Sequence, residues 1–278
     1  MRGRAPVILF CIASFLSPLL AAGQSYLHFH HHFQPELHYT FEHTTIASNA
    51  LSYSGDEAFV SMMESAGTML NQVSTDSSTL LMQVHTGPMN EASEFALEIH
   101  VLKSHSGISE MQIPEGLRIY GATTLAGFPR LDSISETGRG AEYEEALLTT
   151  MKGIFGQLKF PNRELELGDT FSDTVPLEIP IAGLSMELVT KSNYTLTELH
   201  EGEAHFDLVQ DYALNSDIPE FSATASGEGL GTLIYDIEHQ FITLQNSNIQ
   251  MEMTIQFEAF SIHLNQAIEF VQNVTITR

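Results

Sequence analysis

The chain has 278 residues, with 11 Lys and Arg against 35 Asp and Glu, so its formal net charge is −24 at pH 7. A surface this negative repels phosphate backbones and anionic lipid headgroups, which argues against nucleic acid as a partner. Apolar residues make up 43% of the chain, enough to bury a real core, so global disorder is excluded.

Residues 1–23 read as a secretory signal peptide. Arg2 and Arg4 form a positive start, residues 7–22 are mostly apolar, and Ala21, Ala22 and Gly23 place small residues before Gln24. Ser14, Ser17 and Pro18 interrupt the apolar run, which makes a permanent anchor the weaker reading. The expected location is the periplasm or the extracellular space. Cleavage removes both arginines and the single Cys, taking the net charge to −26. A mature chain without Cys has no thiol chemistry and no cysteine-ligated zinc. No later apolar run reaches spanning length, so no transmembrane segment is expected in the mature chain.

Residues 24–35 are rich in His and read as a flexible leader. If this stretch is extended, His28, His30 and His32 point to one side at a spacing of about 7 Å. Neutral imidazoles so placed suit Zn²⁺, Cu²⁺ or Ni²⁺. The competing reading is a solvated polar leader, in which ordering a metal site costs chain entropy.

The first β-rich unit is placed at residues 36–140. Apolar and polar residues alternate over 79–84 and 95–101, a period that predicts strands. Within this unit, residues 56–73 carry a stripe of Phe59, Met63, Ala66, Leu70 and Val73 that predicts a helix, with Gly67 as a weak point. A connecting helix is predicted over 141–159. Tyr143, Leu147, Met151, Ile154, Phe155 and Leu158 recur at helical spacing, acids fill the first turn, and Pro161 ends the run.

The second β-rich unit is placed at residues 160–278. Strands are predicted at 184–190, 204–212, 230–237 and 249–258. In the last of these every odd position through Phe257 is apolar and every even one polar. His200 and His205 flank Glu201, Gly202 and Glu203, but their spacing of five does not fit the helical zinc-protease pattern; a hairpin turn is the simpler reading. Gly227, Gly229 and Gly231 lead into a strand and not a helix, so a nucleotide-binding loop is excluded and a bulge or sharp strand entry is expected. With 35 acids, close carboxylate pairs are expected by chance and read as a solvated face.

Residues 36–41 echo 166–171, residues 73–76 echo 199–202, and residues 116–120 echo 231–235, in the same order along the chain. The expected fold is therefore mainly β (α+β): two curved antiparallel half-barrel-like units, duplicated, packed around a central helix. The leader, the helix, Phe160-Pro161 and the Leu167-Gly168-Asp169-Thr170-Phe171 motif together resemble an uncharacterised family of secreted bacterial β-rich proteins. Their arrangement is similar to the periplasmic lipoprotein-carrier half-barrels. That resemblance implies an apolar ligand held between sheet and helix, and it transfers no individual site residue.

The function expected from these features is non-enzymatic. An exported protein binds an apolar or amphipathic small molecule, or a lipidated partner, with Met151, Ile154, Phe155, Met251, Met253 and Phe257 as the lining. Methionines, which also include Met62, Met63, Met69, Met82 and Met186, suit an adaptable apolar surface. The alternatives are a structural β-protein without a cavity and a metal-binding protein using the His-rich leader. No cofactor is expected apart from a metal ion there.

Overall fold

The computed structural model describes residues 26–107, 113–127, 129–157, 160–181, 184–218 and 221–278, with backbone alone at 150, 153–157, 177–181, 184–186, 215–218 and 221. Eleven strands form one antiparallel sheet in the order β6-β5-β4-β3-β2-β13-β12-β11-β10-β9-β8. From one edge inward these are β6 (Arg130–Ile134), β5 (Arg118–Thr124), β4 (Glu94–Ser106), β3 (Asn71–Thr86) and β2 (His38–Gly55). From there to the other edge they are β13 (Phe260–Thr277), β12 (Phe241–Gln256), β11 (Phe221–Asp236), β10 (Glu203–Ile218), β9 (Leu184–His200) and β8 (Thr170–Ile181). A second, two-stranded sheet pairs β1 (Tyr26–Phe29) with β7 (Arg163–Glu166). The fold is mainly β, and both β-rich units share one open sheet, joined where β2 pairs with β13 along its whole length.

The period-two pattern explains the strands. In β12, Met253 and Ile255 are buried while Glu252 and Gln256 are exposed, so the alternation seen in the sequence is an in/out alternation. The β9–β10 turn has two residues, Glu201 and Gly202, both at positive φ. That geometry matches the right-handed strand twist and makes the segment around His200 a tight hairpin. Gly227, Gly229 and Gly231 lie inside β11 and do not mark its entry. Their role is close approach: a Cβ on Gly231 would fall 2.1 Å from the Asn246 carbonyl oxygen.

Among the described residues two helices join the strands. Helix α1 (Glu57–Ser65) starts at Asp56, whose side chain accepts the Phe59 N–H at 2.8 Å. The helix predicted over 56–73 ends eight residues early. Gly67 at φ +70° lets its own N–H reach the Glu64 carbonyl while the Thr68 N–H reaches that of Met63, and this pair of bonds closes the helix. Helix α2 (Ala141–Gln157) agrees with the helix expected from the 141–159 periodicity.

Three clusters of buried side chains lie on one face of the sheet. The first gathers Tyr39, Val84, Phe95, Leu97, Ile99, Val101, Ile119, Leu131 and neighbours, with Leu147, Leu148 and Met151 of α2 packed against it. The second gathers Phe171, Leu196, Phe206, Leu208, Leu233 and Tyr235 around Leu27 and Phe29 of β1 and Leu165 of β7. The third, toward the other end of the long strands, contains Leu188, Leu214, Ala223, Ala225, Met253 and Ile255.

From Tyr26 onward the expected flexible leader is instead part of the core. Leu27 and Phe29 are fully buried, and the backbone that follows is tied down on both sides. The Tyr235 hydroxyl donates to the His30 carbonyl at 3.1 Å, the His32 N–H donates to the Gln240 carbonyl, and the Gln34 N–H donates to the Tyr39 hydroxyl at 2.8 Å. Apolar burial of the interleaved aromatic residues outweighs the polarity of the histidines between them.

Candidate functional site

The six side chains expected to line one cavity beside the connecting helix do not converge. Met151 packs against the first cluster, whereas Met251, Met253 and Phe257 belong to the third. The side chains of Ile154 and Phe155 lie outside the described residues. The reason is topological: α2 follows β6 and packs beside that edge strand, while Met251, Met253 and Phe257 sit at and just past the far end of central strand β12.

The row expected from His28, His30 and His32 is also broken. The strand ends at Phe29, His28 is exposed, and His32 is buried at 7% exposure. The rings of His30 and His32 lie 4.4 Å apart, with the His32 Nδ1 3.2 Å from the His30 carbonyl. Among the described residues no group of three His, Cys, Asp or Glu side chains is placed to hold a metal ion. His31 fills the space between the Phe160 and Phe241 rings, and its Nδ1 accepts the Ile242 N–H at 3.2 Å. Burial, and then the neighbouring His32 and His30, push its pKa down to about 3. It is a neutral packing residue.

What the structure does assemble is an apolar pocket of about 670 Å³ between α1 and the ends of β2 and β13. Tyr53, Ala58, Phe59, Met62, Met63, Ala259, Phe260 and Ile262 line it, with Asp56 the one carboxylate at its wall. Phe260 is sandwiched by parallel stacking, against Phe59 at 4.6 Å and against Phe257 at 4.4 Å. Phe257 and Ile262 in turn pack on the third cluster beside Met251 and Met253. Phe257 thus borders the pocket through Phe260, while Met251, Met253 and Phe257, expected to meet a ligand, are not among the residues that line it. Its rim is open: Met62 is 58% exposed, and nearby Met69 is 68% exposed.

The sequence pattern places Met63 on the stripe of the helix predicted over 56–73 and counts Met62 and Met63 among the methionines suited to an adaptable apolar surface, but neither among the six lining residues. Phe59 and Phe260 were missed as site residues. Their signal is the aromatic pair Phe257 and Phe260 flanking a short hairpin, which gains meaning only once β13 is known to lie beside β2.

Two other concave regions differ in chemistry. One, of about 260 Å³, is lined by His43, Thr45, Asp76, Ser78, Ser104 and Ser106 together with Leu80 and Ile113. The other, of about 740 Å³, is lined mainly by residues whose alternation places them opposite the clusters, among them Asp211, Glu228 and Glu252. Asp211 and Glu228 are direct cross-strand partners, a like-charge pairing that disfavours an anionic occupant. On the clustered face, the middle of the sheet is polar: Gln266 donates to Asn49 at 2.7 Å, and Gln210 donates to Ser192 at 3.2 Å.

In the comparisons with known proteins, no family model matches the chain and no curated protein matches it in sequence. No described helix is long and apolar enough to cross a membrane.

Proposed function

We propose that this is an exported, non-enzymatic binding protein whose α1 pocket takes the acyl chain of an amphipathic lipid or of a lipidated partner. The observation that carries the reading is the open apolar pocket between α1 and β2/β13. Its volume is in the range of small-molecule sites, roughly 300–1,000 Å³. Thioethers and stacked rings give it an adaptable apolar lining. A single carboxylate, Asp56, is already engaged as the cap of α1, so the lining offers almost nothing to a charged guest. Acyl burial at about 25 cal/mol per Å² supplies the affinity.

The idea of two related halves belongs to this reading, and the strand order supports it. β2 to β6 and β8 to β13 cross the sheet in the same direction. β1 precedes the first set as β7 precedes the second, and the two pair with each other. The 36–41 and 166–171 echoes enter the first long strand of each set. The 116–120 and 231–235 echoes fall on the fourth, β5 and β11. The half-barrel shape and α2 as cover are part of the same reading, supported by Leu147, Leu148 and Met151 on the first cluster.

The test is titration of the detergent-free protein with a fluorescent long-chain fatty acid. The expected result is saturable binding, displaced by unlabelled fatty acid, and weakened at least tenfold by Met62→Glu at the open rim. Val73→Glu, at a side chain 82% exposed and outside the pocket, should leave affinity unchanged. Absence of displaceable binding to folded protein overturns the reading in favour of a structural role, as does equal binding by all three forms.

A further inference from the structure

His38 and His85 are direct cross-strand partners at the start of β2 and the end of β3. Their rings stack at 4.3 Å with an interplanar angle of 27°, and their Nδ1 atoms are 3.2 Å apart. Both side chains are exposed. One of the two nitrogens must carry a proton to bridge that gap as a hydrogen bond, and a metal ion is the other species that can occupy it. Metal–imidazole bonds of about 2.0–2.1 Å set the two nitrogens about 2.9 Å apart at a right angle and about 3.3 Å apart at a tetrahedral one. The observed separation falls between these values.

The backbone under the pair is held firmly. Thr86, next to His85, is fully buried, and its hydroxyl donates to the Gln34 carbonyl at 2.7 Å and accepts the Leu37 N–H at 3.0 Å. Its own N–H donates to the Leu37 carbonyl. Leu37 and Thr86 thus lock the residues adjacent to both histidines, so the strand separation under the pair is set by the sheet, and the exposed rings need only turn about their side-chain torsions from the stacked arrangement to aim both Nδ1 lone pairs at one ion. Glu98 is the partner of His85 on β4, but its carboxylate is bound by Arg118. The strongly negative net charge raises the local concentration of cations.

We infer that His38 and His85 form a two-histidine surface chelate for a borderline divalent metal ion, Zn²⁺, Cu²⁺ or Ni²⁺, with water in the remaining coordination positions. The ion takes the place of the proton between the two Nδ1 atoms: the ring that donated it changes tautomer, its proton passing through solvent to its own Nε2, so that both neutral rings carry hydrogen on Nε2 and offer Nδ1 lone pairs. This site is separate from both the His-rich segment and the α1 pocket.

Calorimetric titration of the untagged protein with Zn²⁺ and Ni²⁺ tests it, alongside His38→Gln, His85→Gln, the double variant, and a His28→Gln/His30→Gln control. The expected result is that each single change weakens the tightest site at least tenfold. The double variant should be no weaker than either single one, because a chelate is broken by losing either arm, and the control should bind as the parent does. Circular dichroism confirms that each variant is folded. Unchanged affinity in His85→Gln, or loss in the control instead, overturns the inference.

Discussion

His31 packs its ring edge-on with Phe160 and tilted against Phe241, where a charged imidazole would lose much of its hydration. Its folded-state pKa of about 3 lies below the ordinary histidine value of about 6.5 expected in the unfolded chain. Above that ordinary value the ring is neutral in both states and contributes no pH dependence. As pH falls toward 3, the unfolded chain gains a proton that the folded one refuses, so stability decreases. For His31 alone the loss between pH 7 and pH 5 is about 2 kcal/mol. His30, His32 and His43 are lowered by burial too and act in the same sense. Urea midpoints at the two pH values should therefore drop for the parent and drop less for His31→Gln, whose amide oxygen can still accept the Ile242 N–H. An identical drop in both proteins would show that His31 does not carry the effect.

Among the elements, β1 is the clearest case of tertiary packing overriding composition. Only four residues long, it places Leu27 and Phe29 into the second cluster, where Phe29 contacts Phe160, Phe171, Phe206 and Tyr235 at ring separations of 4.8–6.1 Å. Phe29→Ala should cost about 3–5 kcal/mol by leaving a cavity among these rings, read as a lowered urea midpoint. A change below about 1 kcal/mol would mean that β1 is docked without contributing to the core. Alternation was enough for β3, β4, β9, β10, β11 and β12, and helical spacing for α2, because both are local, but the pattern did not pick out β8, nor β2 and β13, which run 18 residues each. It failed for β1, because the partners that bury Leu27 and Phe29 lie more than a hundred residues away. It failed likewise for the site. Met251, Met253 and Phe257 were recognisable as an apolar face, but the local pattern could not say that Phe59 and Phe260 would stack beside them. Nor could it say that Met151 would serve the core at the opposite end. The helix over 56–73 was half right: the amphipathic stripe is real through Met63, and Gly67 stops it.

At the level of the whole molecule, the sheet order makes the two halves of the chain mutually dependent. The first half runs outward from β2 to the β6 edge, and the second begins at the opposite edge and returns, so that the last strand, β13, seals against the first long one. Every residue of β13 has a partner in β2, from Phe260 opposite Gly55 to Thr277 opposite His38. The first and second clusters are also coupled by adjacent residues of β12, since Phe241 is in one and Ile242 in the other. Neither half can lose its strands without uncovering apolar side chains of the other, and cooperative unfolding as one unit follows. Hydrogen exchange under increasing urea measures this directly: amides of β4, deep in the first half, and of β10, deep in the second, should lose protection at the same urea concentration and with the same dependence on it. If β10 remains protected after β4 has exchanged, the β2–β13 seam is a contact between two independent domains, and the apolar pocket beside it lies on a boundary that opens while each half stays folded.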